Sequence, residues 1–138
     1  LSKTFYGQTM PVSNNFKPEA LAISGFSREQ HEKFGDPRVV MLEFNNFIQA
    51  NSIGKPVFIS DNLAFDWQWV NYYFHYYLGK NPFGFSGRRI GDIYCGIKKD
   101  TSLNSEWKKL YRVTRHTHHP VDDAKGNAEA LWKIKKML

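Results

Sequence analysis

The stretch Pro56-Val57-Phe58-Ile59-Ser60-Asp61-Asn62-Leu63-Ala64-Phe65-Asp66 changes its periodicity partway along. Its first five residues are a short apolar run between chain breakers, which predicts a buried strand. From about Phe65 the pattern turns helical and runs to Leu78, with Gly79 placed to terminate the helix in the left-handed conformation. One side of that helix carries Phe65, Trp69, Tyr72 and Tyr76, and another carries Asp66, Val70, Phe74 and Tyr77. A helix apolar around so much of its circumference is expected to be buried on several sides. Trp67 lies on neither row. A strand that feeds a helix, with the carboxylate of Asp66 at the junction, is the building unit of an α/β layer fold.

Outward from this unit the alternation continues. Asp36-Pro37 is a helix start, a capping carboxylate followed by proline at the first helical position. Val40, Phe44, Phe47 and Ile48 follow at helical spacing, and Asn51-Ser52-Ile53-Gly54 closes the helix. Upstream, Thr4–Met10 has partial strand alternation and ends at Pro11. Lys17-Pro18-Glu19-Ala20-Leu21 predicts a short helix stopped near Gly25, and Ser27–Gly35 a turn with a brief helix. Downstream, Asn81–Gly87 is a loop, and Arg88–Ile97 fits either a strand or a helical turn. Glu106–Val113 is predicted helical and Thr114–Pro120 is a histidine-rich loop. The last helix opens near Val121 or Asp122, with Ala124, Ala128, Leu131, Ile134 and Leu138 as its apolar positions. Lys133, Lys135 and Lys136 suit its negative C-terminal end. No repeat or linker interrupts the chain, so residues 1–138 are read as one domain.

Composition narrows the class. Of 138 residues 41% are hydrophobic and 23% charged, the balance of a soluble folded domain. The net charge of +6 suits a polyanionic partner such as nucleic acid. The lone cysteine, Cys95, excludes an internal disulfide and a thiolate zinc site, and its expected place is the core. No apolar run reaches the ~20 residues of a membrane helix, and no signal-peptide pattern opens the chain. A cytoplasmic protein is the expectation.

Two segments carry chemistry. Asp66 stands just after a buried strand, and His118 precedes Asp123 by five positions, with Asp123 in the first turn of a helix. Carboxylates hold hard divalent cations and leave open positions for a substrate phosphate. Two such ions clamp the attacking and leaving oxygens of a phosphodiester displacement, and a histidine near neutral pKa takes a proton from water. Singly, Asp66, Asp122 and Asp123 read more simply as acids favoured at a helix start. His116, His118 and His119 are also an alternative zinc cluster, although the chain has neither thiolate partners nor a helical HExxH.

Together, Asn62-Leu63-Ala64-Phe65-Asp66 and His118 to Asp123-Ala124 resemble the second and third motifs of the DEDDh exonucleases, the DnaQ-like group of the ribonuclease H-like fold. His119-Pro120-Val121-Asp122-Asp123-Ala124 with Gly126–Leu131 is similar to a compact bacterial exoribonuclease branch of that group. Asp92-Ile93-Tyr94 resembles the acidic segment between the motifs. The resemblance implies a ribonuclease H-like mixed sheet flanked by helices. It also implies a 3′-5′ exonuclease, tipped toward RNA, acting on the 3′ end of single-stranded RNA or DNA. Asp66 and Asp123 would hold Mg²⁺ or Mn²⁺, two ions in the complete site, and His118 would activate water, with a one-residue slip to His119 as the alternative. Asn62 and Phe65 would place the terminal nucleotide, and Trp67 is the aromatic expected to stack on its base. Several members of the fold are dimers, so a homodimer is expected.

The first motif of that family, Asp-x-Glu, does not occur in these 138 residues. The resemblance therefore starts at the third strand, Leu1–Val12, and the first two strands are expected upstream of Leu1. Their absence would leave the strand at Val57–Ser60 with an unpaired edge, at a cost on the order of 1–3 kcal/mol for each buried unpaired group. With half of the carboxylates, the chain alone is expected to be inactive. The competing reading is a catalytically inactive nucleic-acid-binding module that keeps the fold. It would track phosphates with Lys98, Lys99, Lys108, Lys109, Arg112 and Arg115.

Overall fold

The computed structural model describes residues 2–138. Helices α1 (Pro18–Ile23), α2 (Arg28–His31) and α3 (Pro37–Asn51) come first, followed by β1 (Phe58–Ser60), α4 (Leu63–Leu78) and β2 (Gly87–Arg89). Then come α5 (Ile90–Lys98), a 3-10 turn at Thr101–Leu103, α6 (Glu106–Tyr111) and α7 (Pro120–Lys135). β1 and β2 are parallel, with Phe58 opposite Gly87 and Ser60 opposite Arg89. This is the small parallel sheet of an α/β arrangement, in which helices provide the crossover between strands. The mixed sheet expected from the sequence is reduced to these two strands among the described residues. Among the described residues one edge of β1 has no strand beside it, and Val57 just before it is half exposed.

Local chemistry explains the helix boundaries. The Asp36 carboxylate accepts from the backbone N–H groups of Arg38 and Val39, and Pro37 follows at the first helical position. Ser27 and Gln30 form a reciprocal capping box on α2. Gly79 takes φ 72° and donates to the His75 carbonyl, which ends α4 where the sequence placed the stop. The ambiguous Arg88–Ile97 stretch holds both answers, β2 up to Arg89 and α5 from Ile90.

Two apolar clusters hold the elements together. Ile90, Tyr94, Trp107, Ala130 and Ile134 join α5, α6 and α7, and the free thiol of Cys95 is buried on α5. The Tyr94 hydroxyl donates to Glu106 Oε2 at 2.8 Å and the Trp107 indole donates to the Asn104 carbonyl at 3.0 Å, so the polar atoms of both rings are satisfied. Met41, Ile48, Phe74 and Phe83 form the second cluster between α3, α4 and the loop after α4.

Four expectations are corrected. Thr4–Met10 is not a strand: it makes one bridge, Thr9 to Gly35, and Phe5 instead stacks on Phe44 at 5.0 Å. Leu1, at the start of that expected strand, lies outside the described residues. Helix α4 is not buried on several sides, because Phe65, Trp69, Tyr72 and Tyr76 are between 45% and 67% exposed. Trp67, expected to stack on a base rather than fill the core, is partly buried against Phe58, 5.5 Å away. At the other end, Leu138 lies beyond α7 and is exposed, so the apolar row of that helix ends at Ile134.

Candidate active site

In a parallel α/β sheet, ligands gather beyond the carboxyl ends of the strands. Asp61 follows β1 at that end, and Arg89 ends β2 and donates from Nε to the Asp61 carbonyl at 3.1 Å. Lys108 from α6 meets Asp61 Oδ2 at 2.6 Å. Asn62 is the N-cap of α4; its exposed side chain makes no capping bond, while its carbonyl accepts from Phe65 and Asp66. Asp66 sits in the first turn of α4, partly buried. Burial pushes its carboxyl above the usual range and the charge of Asp61 adds to this, while the Ser60 hydroxyl and the Asn62 backbone pull it partly back. No salt bridge compensates Asp66 among the described residues, and the buried Ser60 Oγ has no well-formed hydrogen bond.

The second half of the site is the loop from Arg112 to His119, held against α7. Glu129 accepts from Val113 N, Thr114 N and Thr114 Oγ1 at 3.1, 2.8 and 2.9 Å. These donors, the Thr114 N–H first, hold its carboxyl below the usual range. Arg112, with a side chain only 10% exposed, donates to the Asp123 carbonyl at 3.1 Å and lies 3.7 Å from Asp123 Oδ1. It is a brace rather than the solvated phosphate contact expected from the sequence. Lys109 and Arg115, in contrast, are exposed beside it and line a cavity of about 520 Å³ with Lys108 and His116.

At the tip of the loop, His116 Nδ1 meets Asp123 Oδ1 at 2.6 Å, and Thr117 N donates to the same oxygen at 3.3 Å. Thr117 Oγ1 donates to Asp122 at 2.8 Å. His118 turns through φ 64°, a left-handed conformation unusual outside glycine, and its ring comes to 4.3 Å from that of His116. The ligand atoms of His116, His118 and Asp123 lie within 4.8 Å of one another. His119 is the N-cap of α7, and its ring packs on Tyr6 at 4.9 Å. His118 and His119 thus face different neighbours.

The two motifs meet across a cavity of about 730 Å³ lined by Phe65 on one side and Thr117, His118 and His119 on the other. Asp66 is outside the histidine cluster. Trp67 lines a separate recess with Phe85, Arg89 and Asp92, away from the histidines. Sequence reasoning missed the roles of His116, Arg112 and Glu129. The i to i+7 spacing of His116 and Asp123 spans a loop and a helix turn, and no periodicity signals it.

The donor chemistry suits a divalent cation. Asp66 has no competing ion pair, and Asp123 Oδ2 has no hydrogen-bond partner among the described residues. One carboxylate, Asp123, beside the imidazoles of His116 and His118, with a basic cavity adjoining His116, is an arrangement able to bind an ion or support hydrolysis. No protein-family model matches the chain. It is 36% identical over 145 residues to the 3′-5′ DNA exonuclease Cap18 of Escherichia coli, covering 99% of this chain and 76% of that protein. The chain belongs to this 3′-5′ exonuclease family.

Proposed function

We propose that this protein is a metal-dependent nuclease that removes nucleotides from the 3′ end of single-stranded DNA. The observation that carries the reading is the cavity shared by Phe65 and His118, which unites the two sequence motifs in a chain 36% identical to a 3′-5′ DNA exonuclease. Asp66 and Asp123 are the residues that would hold Mg²⁺ or Mn²⁺, whose chemistry is to stabilise charge on the transferring phosphate. The order of strand, helix, strand and histidine-led helix supports a ribonuclease H-like arrangement for the site.

The reading of His118 as the general base is supported by its position in the cavity lining and by ring nitrogens that make no hydrogen bond to another described residue. The 2.6 Å contact of His116 with Asp123 favours a second assignment, in which Asp123 orients His116 for the same task. Phe65, exposed at the cavity, offers a face for the terminal base, and its backbone N–H donates to the carbonyl of Asn62, whose side chain is exposed. The lean toward RNA has no residue behind it, and the name of the relative moves the assignment to DNA. The exposed row Trp69, Tyr72 and Tyr76 on α4 supports a homodimer, which sedimentation tests.

Asp66 and Asp123 are two of the four carboxylates that the resemblance implies, and inactivity of these 138 residues alone is part of the proposal. The test uses the complete polypeptide with 5′-labelled single-stranded DNA and RNA, with Mn²⁺ and with EDTA. A Mn²⁺-dependent ladder shortening from the 3′ end, lost in Asp66→Asn, is the expected result. Absence of a ladder on both substrates overturns the reading. Loss in His116→Ala with retention in His118→Ala moves the base to His116.

A further inference from the structure

We infer that His116, His118 and Asp123 form a binding site for a transition-metal ion of the zinc type, distinct in preference from the hard cation assigned above. The three ligand atoms lie within 4.8 Å of one another, and two of them are imidazole nitrogens. Around one ion at ~2.0–2.1 Å from each donor, ligands stand roughly 3.3 Å apart, so side-chain rotations close the set. Imidazole nitrogen suits zinc, nickel, copper and iron, whereas Mg²⁺ takes oxygen.

The surroundings point the same way. The guanidinium of Arg112 sits 3.7 Å from Asp123 Oδ1 and opposes any ion held by charge alone. Coordination by the two imidazoles is what then holds the ion. His118 is brought to His116 by the left-handed turn at its own φ of 64°, and its ring nitrogens have no hydrogen-bond partner among the described residues. The carboxylate is oriented from outside by the Thr117 N–H, and the loop is tied to α7 by Glu129. Such outer contacts pre-position ligands around a metal. The ion takes the place of the hydrogen bond between His116 and Asp123.

Asp123 cannot serve both ions fully, so zinc at this site competes with the divalent ion of the nuclease reaction. That consequence rests on the nuclease reading; the binding itself does not.

The test is titration of the protein with Zn²⁺ by calorimetry and with Co²⁺ by visible absorption, without nucleic acid. One ion per chain is expected, with the absorption of a nitrogen- and oxygen-ligated cobalt centre, and a tenfold excess of Mg²⁺ should not displace it. His116→Ala and His118→Ala should each weaken binding at least tenfold, while His119→Ala leaves it unchanged. If a variant misfolds, imidazole NMR of the wild-type protein decides: the rings of His116 and His118 should shift with Zn²⁺ and that of His75 should not. No stoichiometric binding, binding as tight as wild type in either of these two alanine variants, or no selective shift overturns the inference. None of these readouts depends on nuclease activity.

Discussion

Glu129, two turns into α7, closes both carboxylate oxygens on Thr114: Oε2 accepts the Thr114 N–H at 2.8 Å and Oε1 accepts its hydroxyl at 2.9 Å. This pair fastens the histidine loop to the helix that carries Asp123. Glu129→Gln exchanges one acceptor for an N–H₂ group that confronts a donor. It should cost about 1.5–3 kcal/mol, as for hydrogen bonds to a charged group. Thermal denaturation measures the loss, and NMR should show the His116 and His118 signals broadened more than those of His31 and His75.

The same contact sets a pH dependence. The donors of Thr114 and Val113 hold the Glu129 carboxyl below its ordinary value in the folded protein. A depressed folded pKa contributes stability that is present above the unfolded pKa of the group and is lost as pH falls through the folded one. Denaturant titrations from neutral to acidic pH should show falling stability in and below the ordinary carboxylate range. The fall should be smaller in Glu129→Gln.

Gly126 lies on the buried face of α7, where an added Cβ would stand 2.8 Å from both Arg112 Nε and the Thr114 carbonyl. By helix propensity alone, Gly126→Ala should stabilise by about 1 kcal/mol. Here overpacking wins, because one of the crowded atoms is backbone and the other belongs to a largely buried side chain. A net loss of about 1–3 kcal/mol is expected, read as a lower urea midpoint together with altered loop signals.

Partial burial disfavours the charged form of the Asp66 carboxyl, and the charge of Asp61 adds to this. Asp66→Asn removes that burden, so its melting temperature should rise relative to wild type in metal-free buffer. Nuclease activity should be lost in the same variant. A melting temperature that falls would show that Asp66 serves the fold rather than the site.

The exposed and buried rows of α4 should differ sharply. Phe74 is fully buried in the cluster with Met41, Ile48 and Phe83, and Phe74→Ala should cost about 3–5 kcal/mol. Trp69 is half exposed, and Trp69→Ala should change the stability of the monomer by about 0.5 kcal/mol or less. Comparison of their chemical denaturation curves checks both.

Much of the local structure is legible in the sequence. The Asp36-Pro37 start of α3, the Gly79 stop of α4 and the strand before Asp61 each depend on a few neighbouring residues, and all three occur as read. The strand expected at Thr4–Met10 does not, because a strand needs a partner and Thr9 finds only Gly35. The exposure of the aromatic row of α4 escapes the sequence for a related reason. Periodicity shows which residues share a side of a helix, but not which side meets the core.

The site divides along the same line. Sequence by itself determined the motifs, Asn62 to Asp66 and His118 to Asp123, because residue type and short spacing specify them. Only the tertiary structure decided that Asp123 contacts His116, that Arg112 and Glu129 brace the loop, and that Phe65 and His118 share one cavity. These contacts join residues far apart along the chain, or cross from an irregular loop to a helix. They depend on how α4, α6 and α7 pack, and no local pattern encodes that.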